Sequence, residues 1–270
     1  MAKSSIRKVI IPLLCIVIVS GLWVLYTHKS KDKGSAEDVS AMPDLLEIPV
    51  SGNGQPEQII EHTGFTVSYN SKWREPNWVA YELTRDESYG KVERYDHFDP
   101  DPDVVGVCPE YWDYSDSPYD RGHMAPAGDM KWDKNAMRES FYMSNICPQN
   151  HNLNDGDWKL LEQQIWEYAR QNGHVYVVCG PIVSDHPKTI GKHRVAVPDA
   201  FFKVLLCKIG GQWQAIGFYF KNRAGSKPLG TYCKSIDQIE QMTGIDFFPK
   251  LEDSLEDRIE AQYDRSAWGI

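Results

Sequence analysis

The sequence predicts an α+β fold, a mixed and mainly antiparallel sheet with helices on its flanks. Short aromatic and β-branched runs separated by turn residues recur along the chain, two segments have helical spacing with their own start and stop signals, and no repeat or coiled-coil heptad is sustained. Phe65–Tyr69 and Trp78–Leu83 come first, and the polar Asn70-Ser71-Lys72 between them makes a strand pair. Tyr95–Tyr119, rich in Asp and Pro, reads as a long loop, a feature of compact domains that is often functional. Further on, Trp158, Leu161, Ile165 and Tyr168 recur at helical spacing; Asn154-Asp155 supplies the start and Gly173 the stop. Val175–Cys179 reads as a buried strand, and Phe201–Ile209 and Trp213–Phe220 as a hairpin turning through Gly210-Gly211. Ser235-Ile236-Asp237-Gln238 is a capping box opening a short helix that Gly244 closes.

The 270 residues divide into three parts. Residues 1–27 carry Lys3, Arg7 and Lys8 ahead of an apolar run, Val9–Tyr26, just long enough to span a bilayer, so they read as an export signal or a membrane anchor. The anchor is favoured because Trp23-Val24-Leu25-Tyr26 fills the place where a small-residue cleavage site belongs, with Val19-Ser20-Gly21 as the other candidate. Residues 28–56 turn to Lys, Ser, Gly, Asp, Glu and Pro without periodicity and read as a flexible tether. Residues 57–270 are left as one globular domain, and nine tryptophans in the chain are ample for its core. Beyond the first segment lie Cys108, Cys147, Cys179, Cys207 and Cys233, with no metal-ligand spacing and at least one unpaired in a monomer. Cys179 and Cys207 sit in apolar runs and read as buried; Cys108 is a candidate for pairing with another loop cysteine.

One polar constellation carries chemistry. Asp120-Arg121-Gly122-His123 is followed by Ser144-Asn145, Pro148-Gln149, Leu153-Asn154, Trp158 and Glu162. Cleaving a phosphodiester requires a nucleophilic water, neutralised charge on the pentacoordinate phosphorus and a stabilised leaving oxygen. A histidine takes the water's proton, an arginine meets the phosphate, and an asparagine with a glutamate holds a hydrated magnesium ion. Taken singly, each has a plainer reading: a salt-bridged turn for Asp120-Arg121-Gly122-His123, a core histidine or metal ligand for His123, a solvated helix-surface carboxylate for Glu162. It is the spaced set that points to nuclease chemistry.

Together with Asn77-Trp78-Val79-Ala80-Tyr81, Val197-Pro198-Asp199-Ala200-Phe201-Phe202-Lys203 and Thr243-Gly244-Ile245-Asp246-Phe247-Phe248, that set resembles the DNA/RNA non-specific endonuclease family over roughly Thr63 to Pro249. The resemblance implies a ββα-metal active site with His123 as general base and Asn154 as the direct protein ligand of Mg2+, manganese being accepted as well. It implies that Glu162 holds the ion's water shell, that Arg121 and Arg94 face phosphate, and that Asn145 orients the loop or the substrate, while Asp120 holds local structure. Arg85 is the neighbour most easily confused with Arg94. Trp166 stands where some relatives carry a basic residue one turn after the glutamate, which leaves a fourth phosphate contact without its donor.

A formal net charge of -9 argues against tight, passive binding of DNA, which normally leaves a basic footprint. It is compatible with turnover in a local field from residues such as Arg85, Lys91, Arg94, Arg121 and Lys131. The expected function is therefore metal-dependent endonucleolytic cleavage of DNA and RNA without strong sequence specificity, leaving 5′-phosphates, with activity falling as pH drops through the His123 pKa near its ordinary value of about 6.5. The alternative is a membrane-tethered nucleic-acid capture protein without turnover. The catalytic domain is expected outside the cytoplasm, periplasmic or extracellular, because a promiscuous nuclease in the cytosol attacks its own genome; cleavage of the N-terminal segment makes it secreted.

Overall fold

The computed structural model describes residues 45–225 and 227–270. The apolar run Val9–Tyr26 and the tether up to residue 44 lie outside the described residues. Among the described residues no helix is long and apolar enough to cross a membrane. Residues 43–270 cluster as one compact unit.

The chain enters through β1 (Val50–Ser51) and then builds an antiparallel meander of β2 (Gln58–Glu61), β3 (Thr66–Asn70) and β4 (Glu75–Thr84). The long loop after β4 leads into β5 (Tyr119–His123), which pairs antiparallel with β6 (Ile146–Asn150) across a short helix α1 (Lys134–Glu139). A wide turn, Leu153–Trp158, opens α2 (Lys159–Asn172). Then come β7 (His174–Ile182), the small ladder of β8 (Thr189–Ile190) with β9 (Val195–Ala196), and the hairpin of β10 (Ala200–Ile209) and β11 (Gln212–Lys221). The chain ends with β12 (Cys233–Lys234), α3 (Ile236–Thr243), β13 (Ile245–Asp246) and α4 (Asp253–Glu260).

Seven strands form one antiparallel sheet in the order β12-β11-β10-β7-β4-β3-β2. Its central strands are buried along nearly their whole length, which is why Val175–Cys179 and, apart from Lys203, Phe201–Cys207 are apolar runs instead of alternating ones. The α2 helix lays Leu161, Ile165, Tyr168 and Ala169 on one face of that sheet, against Val177, Cys179, Phe201 and Leu205. Trp268 then closes the helix from the C-terminus, its carbonyl accepting from the Tyr168 hydroxyl at 2.7 Å. Between β10 and β11 the chain reverses in two residues, both with positive φ (58° and 81°), a conformation open to Gly210 and Gly211 at no steric cost. Ser235 and Gln238 make the reciprocal capping box that opens α3.

Two expectations are corrected. The ordered part begins before residue 57: β1 pairs with β13, Ser51 Oγ accepts from Trp78 Nε1 at 3.0 Å, and Leu46 is fully buried. Polar composition concealed this, because backbone pairing and not side-chain periodicity holds the segment. The candidate pairing of Cys108 is not formed; Cys108, Cys147, Cys179, Cys207 and Cys233 all carry free thiols. Cys108 is instead half-buried and its sulfur accepts from the Asp101 backbone at 3.3 Å.

Candidate active site

The strand pair β5–β6 and the α2 helix face one another across a cleft of about 330 Å³, lined among others by Arg94, Phe98, Arg121, His123, Asn154 and Glu162. Five of the six residues expected at the site therefore meet in one place. The sixth, Asn145, does not line the cleft.

Register explains how His123 arrives there. It is the last residue of β5, opposite Ile146, and Arg121 is opposite Pro148. The residue between, Gly122, has no positive φ; what it supplies is close approach, since a Cβ there would lie 2.6 Å from the Cβ of Gln149. His123 is packed by aromatic rings, Phe141 at 4.9 Å edge-on and Phe98 at 5.4 Å, and its Nε2 is buried without a hydrogen-bond partner. The described histidine–carboxylate pairs are His62–Asp101, His151–Asp120, His174–Glu82 and His193–Asp113, so no carboxylate holds the His123 ring. Burial, with the charges of Arg94 and Arg121 added, pushes its pKa down to about 3. The structure thus differs from the expectation of a histidine titrating near its ordinary value: burial and the two guanidinium groups favour the neutral imidazole.

The two arginines rest on the same aromatic bed. Arg121 lies 4.8 Å over the Phe98 ring and Arg94 4.8 Å over the Phe141 ring, and the two rings meet edge to face at 5.0 Å. Arg121 Nε is buried and unpartnered; Arg94 Nε donates to Asp96 at 2.6 Å on the exposed rim. Arg85 is elsewhere, with its guanidinium donating to the carbonyls of Arg170 and Gln171 at the end of α2. Lys91 and Lys131 do not line the cleft either, whereas Lys159, paired with Asp155 at 2.7 Å, does.

Asn154 sits on the wide turn that precedes α2, where Gly156 leaves helical torsions (φ −111°, ψ −114°). Its Nδ2 donates to Asp120 Oδ2 at 2.9 Å, and the same carboxylate meets His151 Nδ1 at 2.9 Å. That hydrogen bond fixes the amide so that its oxygen is left free as an acceptor, which is what a direct ligand of a hard cation requires. Glu162, in the first turn of α2, lines the same cleft with its side chain 16% exposed. Its sunken position raises its pKa to about 7 against the opposing charge of Lys203.

Asn145 takes the loop-orienting part of the role expected for it. Its Oδ1 accepts from Ala125 N at 2.9 Å while its Nδ2 donates to the carbonyls of Ala125 and Ser140, both at 2.8 Å. It is fully buried and clamps the segment that immediately follows His123. Replacing it with alanine orphans three buried backbone groups, so a loss of roughly 2 kcal/mol or more is expected by denaturant unfolding, with the activity loss tracking the stability loss. Impaired cleavage by a variant as stable as the wild type would place Asn145 on the substrate.

Three residues of the site were given no role by the sequence. Phe98 and Phe141 form the bed under His123, but one is in a loop without periodicity and the other follows a short helix. Lys203 is the third, in an apolar strand and fully buried. Its Nζ makes no hydrogen bond; it lies 4.2 Å over the Trp158 ring and 3.9 Å from Glu162 Oε1. Beneath them Asp129, also fully buried, accepts from Tyr81 Oη at 2.8 Å and from Trp166 Nε1 at 2.5 Å. Trp166 thus supplies a donor to Asp129, and it fits because a Cβ on Gly128 would be 2.6 Å from its ring.

A strand pair that ends on a buried, unpartnered histidine, followed by a helix whose entry turn presents an asparagine oxygen and whose first turn presents a glutamate, defines a ββα-metal nuclease. The sequence profile of the DNA/RNA non-specific endonuclease family matches residues 43–254, and the chain belongs to that family. It is 37% identical over 248 residues to mitochondrial nuclease EXOG of Danio rerio, covering 84% of this chain and 70% of that protein. It is 34% identical over 217 residues to nuclease C1 of Cunninghamella echinulata, covering 74% and 86%. A crystal structure of an EndoG/EndoGI complex superimposes with a TM-score of 0.69 at 27% identity, over 74% of this chain and 89% of the other. The chain is accordingly a hydrolase of the nuclease class.

Proposed function

We propose that this protein is a divalent-metal-dependent endonuclease that hydrolyses phosphodiester bonds of DNA and RNA without strong sequence preference and leaves 5′-phosphates. The observation that carries this reading is the unpartnered Nε2 of His123 in one cleft with the free amide oxygen of Asn154 and the carboxylate of Glu162. Those oxygens fit magnesium, with manganese as the substitute: Asn154 would be the direct ligand, and Glu162 would accept hydrogen bonds from the ion's waters. Such an ion supplies Lewis acidity at the phosphate and at the leaving oxygen.

The chain's own groups do the rest. His123, held neutral by burial and by two guanidinium groups, accepts the proton of the attacking water at Nε2. Arg121 and Arg94, steadied on Phe98 and Phe141, neutralise charge developing on the phosphate oxygens. These groups all address phosphate and water, so base order is not read. The N-terminal segment holds the domain at a membrane, outside the cytoplasm, or is cleaved to release it.

The test is cleavage of supercoiled plasmid and of a structured RNA by the full-length protein, with magnesium and with chelator. Magnesium-dependent cutting of both, with 5′-phosphate ends, is expected; folded protein that binds but cuts neither would return the capture protein. A second measurement reads Glu162. Below its pKa of about 7 the carboxyl is protonated and stops accepting from the ion's waters, so calorimetric Mn2+ affinity should rise as pH passes upward through about 7. Affinity that is flat across that range removes Glu162 from the metal site.

A further inference from the structure

We propose that the pocket between the β11–β12 loop and the Leu153–Trp158 turn binds the phosphodiester backbone of the nucleic-acid strand where it leaves the catalytic cleft. The inference rests on the nuclease reading for its ligand, and on geometry of its own for the site.

Four cations, Lys221, Arg223, Lys227 and Lys234, line this cavity of about 240 Å³ against a single carboxylate, Asp157. In a chain of net charge -9 that is a local reversal of sign. Asp157 is buried and already receives the Tyr232 hydroxyl, whereas the described ion pairs include none of the four cations. Cations gathered at one place without carboxylate partners repel one another, and an arriving polyanion relieves that repulsion while releasing its own counterions.

The pocket is fastened to the catalytic machinery on two sides. Asn222, between Lys221 and Arg223, donates to the Pro148 carbonyl at 2.9 Å and accepts from Asn150 N at 2.8 Å. Pro148 is the cross-strand partner of Arg121. On the other side Gly225 lies so close to the Asp157–Tyr232 pair that a Cβ would be 2.6 Å from the tyrosine hydroxyl. Leu153 and Asp157 line the pocket, while Asn154 and Asp155, on the same turn, line the cleft. One turn of chain therefore separates the metal-ligand candidate from the basic pocket. A strand held by Arg121 and Arg94 passes over that turn and meets Lys221 and Arg223 next. Lys221, Arg223 and Lys227 are exposed, which suits a long ligand sliding across them better than a small anion sealed inside. Half-buried Tyr219 offers a ring face on the same wall.

The experiment uses the full-length protein and a fluorescein-labelled single strand of roughly 20 nucleotides, long enough to span both sites. Binding is read by anisotropy in chelator at several salt concentrations, and cleavage is read separately in magnesium. For Lys221→Ala/Arg223→Ala/Lys227→Ala the affinity should fall at least tenfold, and the slope of log affinity against log salt should flatten by about two, the sum for three single-strand phosphate contacts. Lys221→Arg/Lys227→Arg, which keeps every charge, should restore both. Unchanged affinity and slope in the alanine variant overturn the pocket, whatever the cleavage assay shows. Wild-type protein that binds through these residues but does not cut overturns the nuclease reading and leaves the pocket standing.

Discussion

Replacing His123 with alanine is expected to slow phosphodiester cleavage by about a hundredfold to ten-thousandfold while the fold and the metal affinity survive, because what is lost is the proton acceptor alone. The other cleft groups are engaged or lack a lone pair: Arg121, Arg94 and Lys159 are cations, Asp155 is paired with Lys159 at 2.7 Å, and Glu162 faces Lys203 at 3.9 Å. The variant removes a ring packed on Phe98 and Phe141, so Tm should be measured beside the rate to separate a small packing loss from the chemical one. The pH profile adds a second readout. With its pKa near 3, His123 keeps its acceptor through neutral and mildly acidic pH, and the wild-type acid limb belongs to other groups. A clean preparation of the alanine variant that cuts at the wild-type rate would sink the assignment. An acid limb near pH 6.5 that disappears with the histidine would instead overturn the depressed pKa and leave His123 as the base.

Lys203→Met should destabilise the domain by about 3–5 kcal/mol at pH 8, the range for stranding a buried charge by removing its partner. The side chain is fully buried and sits between the Trp158 ring and Glu162, with its charge also reaching Asp129. Methionine fills nearly the same volume, so the effect isolates charge. Its sign follows from the carboxyls. Burial raises Asp129 to about 6 and Glu162 to about 7, and Lys203 opposes both shifts. A carboxyl whose folded pKa is raised contributes stability that is fully present below its unfolded value of about 4 and is lost as pH rises through the folded one. Without Lys203 both folded values climb further and the loss continues to higher pH. The gap between wild type and variant should thus be small near pH 5 and widest above pH 7. Urea unfolding at the two pH values decides it, and a gap that does not change with pH argues that Lys203 acts by packing.

The parts of the site that were legible in the sequence are those whose chemistry is written in residue type at fixed local spacing. Asp120-Arg121-Gly122-His123 lies on one strand, Asn154 and Glu162 on one turn and helix, and local periodicity, turn glycines and cap residues located that helix, the β10–β11 hairpin and the capped α3. Arg94 was separable from Arg85 only by resemblance, since both are loop-flanking arginines until the fold sends one to the cleft and the other to the end of α2. Asn145 was legible as orienting the loop or the substrate, and only the fold shows its three backbone partners, which lie in the loop and not at the cleft. Phe98, Phe141 and the Lys203–Asp129–Trp166 cluster were not legible: each lies far along the chain from what it touches.

By itself the sequence determined the fold class, the order of the elements and the candidate reacting groups, because local propensity and side-chain chemistry travel with the residues. Only the tertiary structure decided their electrical state. An imidazole of ordinary type becomes one that stays neutral to about pH 3, and an ordinary glutamate one that titrates near 7. Both shifts arise first from desolvation and then from neighbouring charge, Arg94 and Arg121 for His123 and Asp129 against Lys203 for Glu162, and neither that burial nor that proximity exists until the chain has folded.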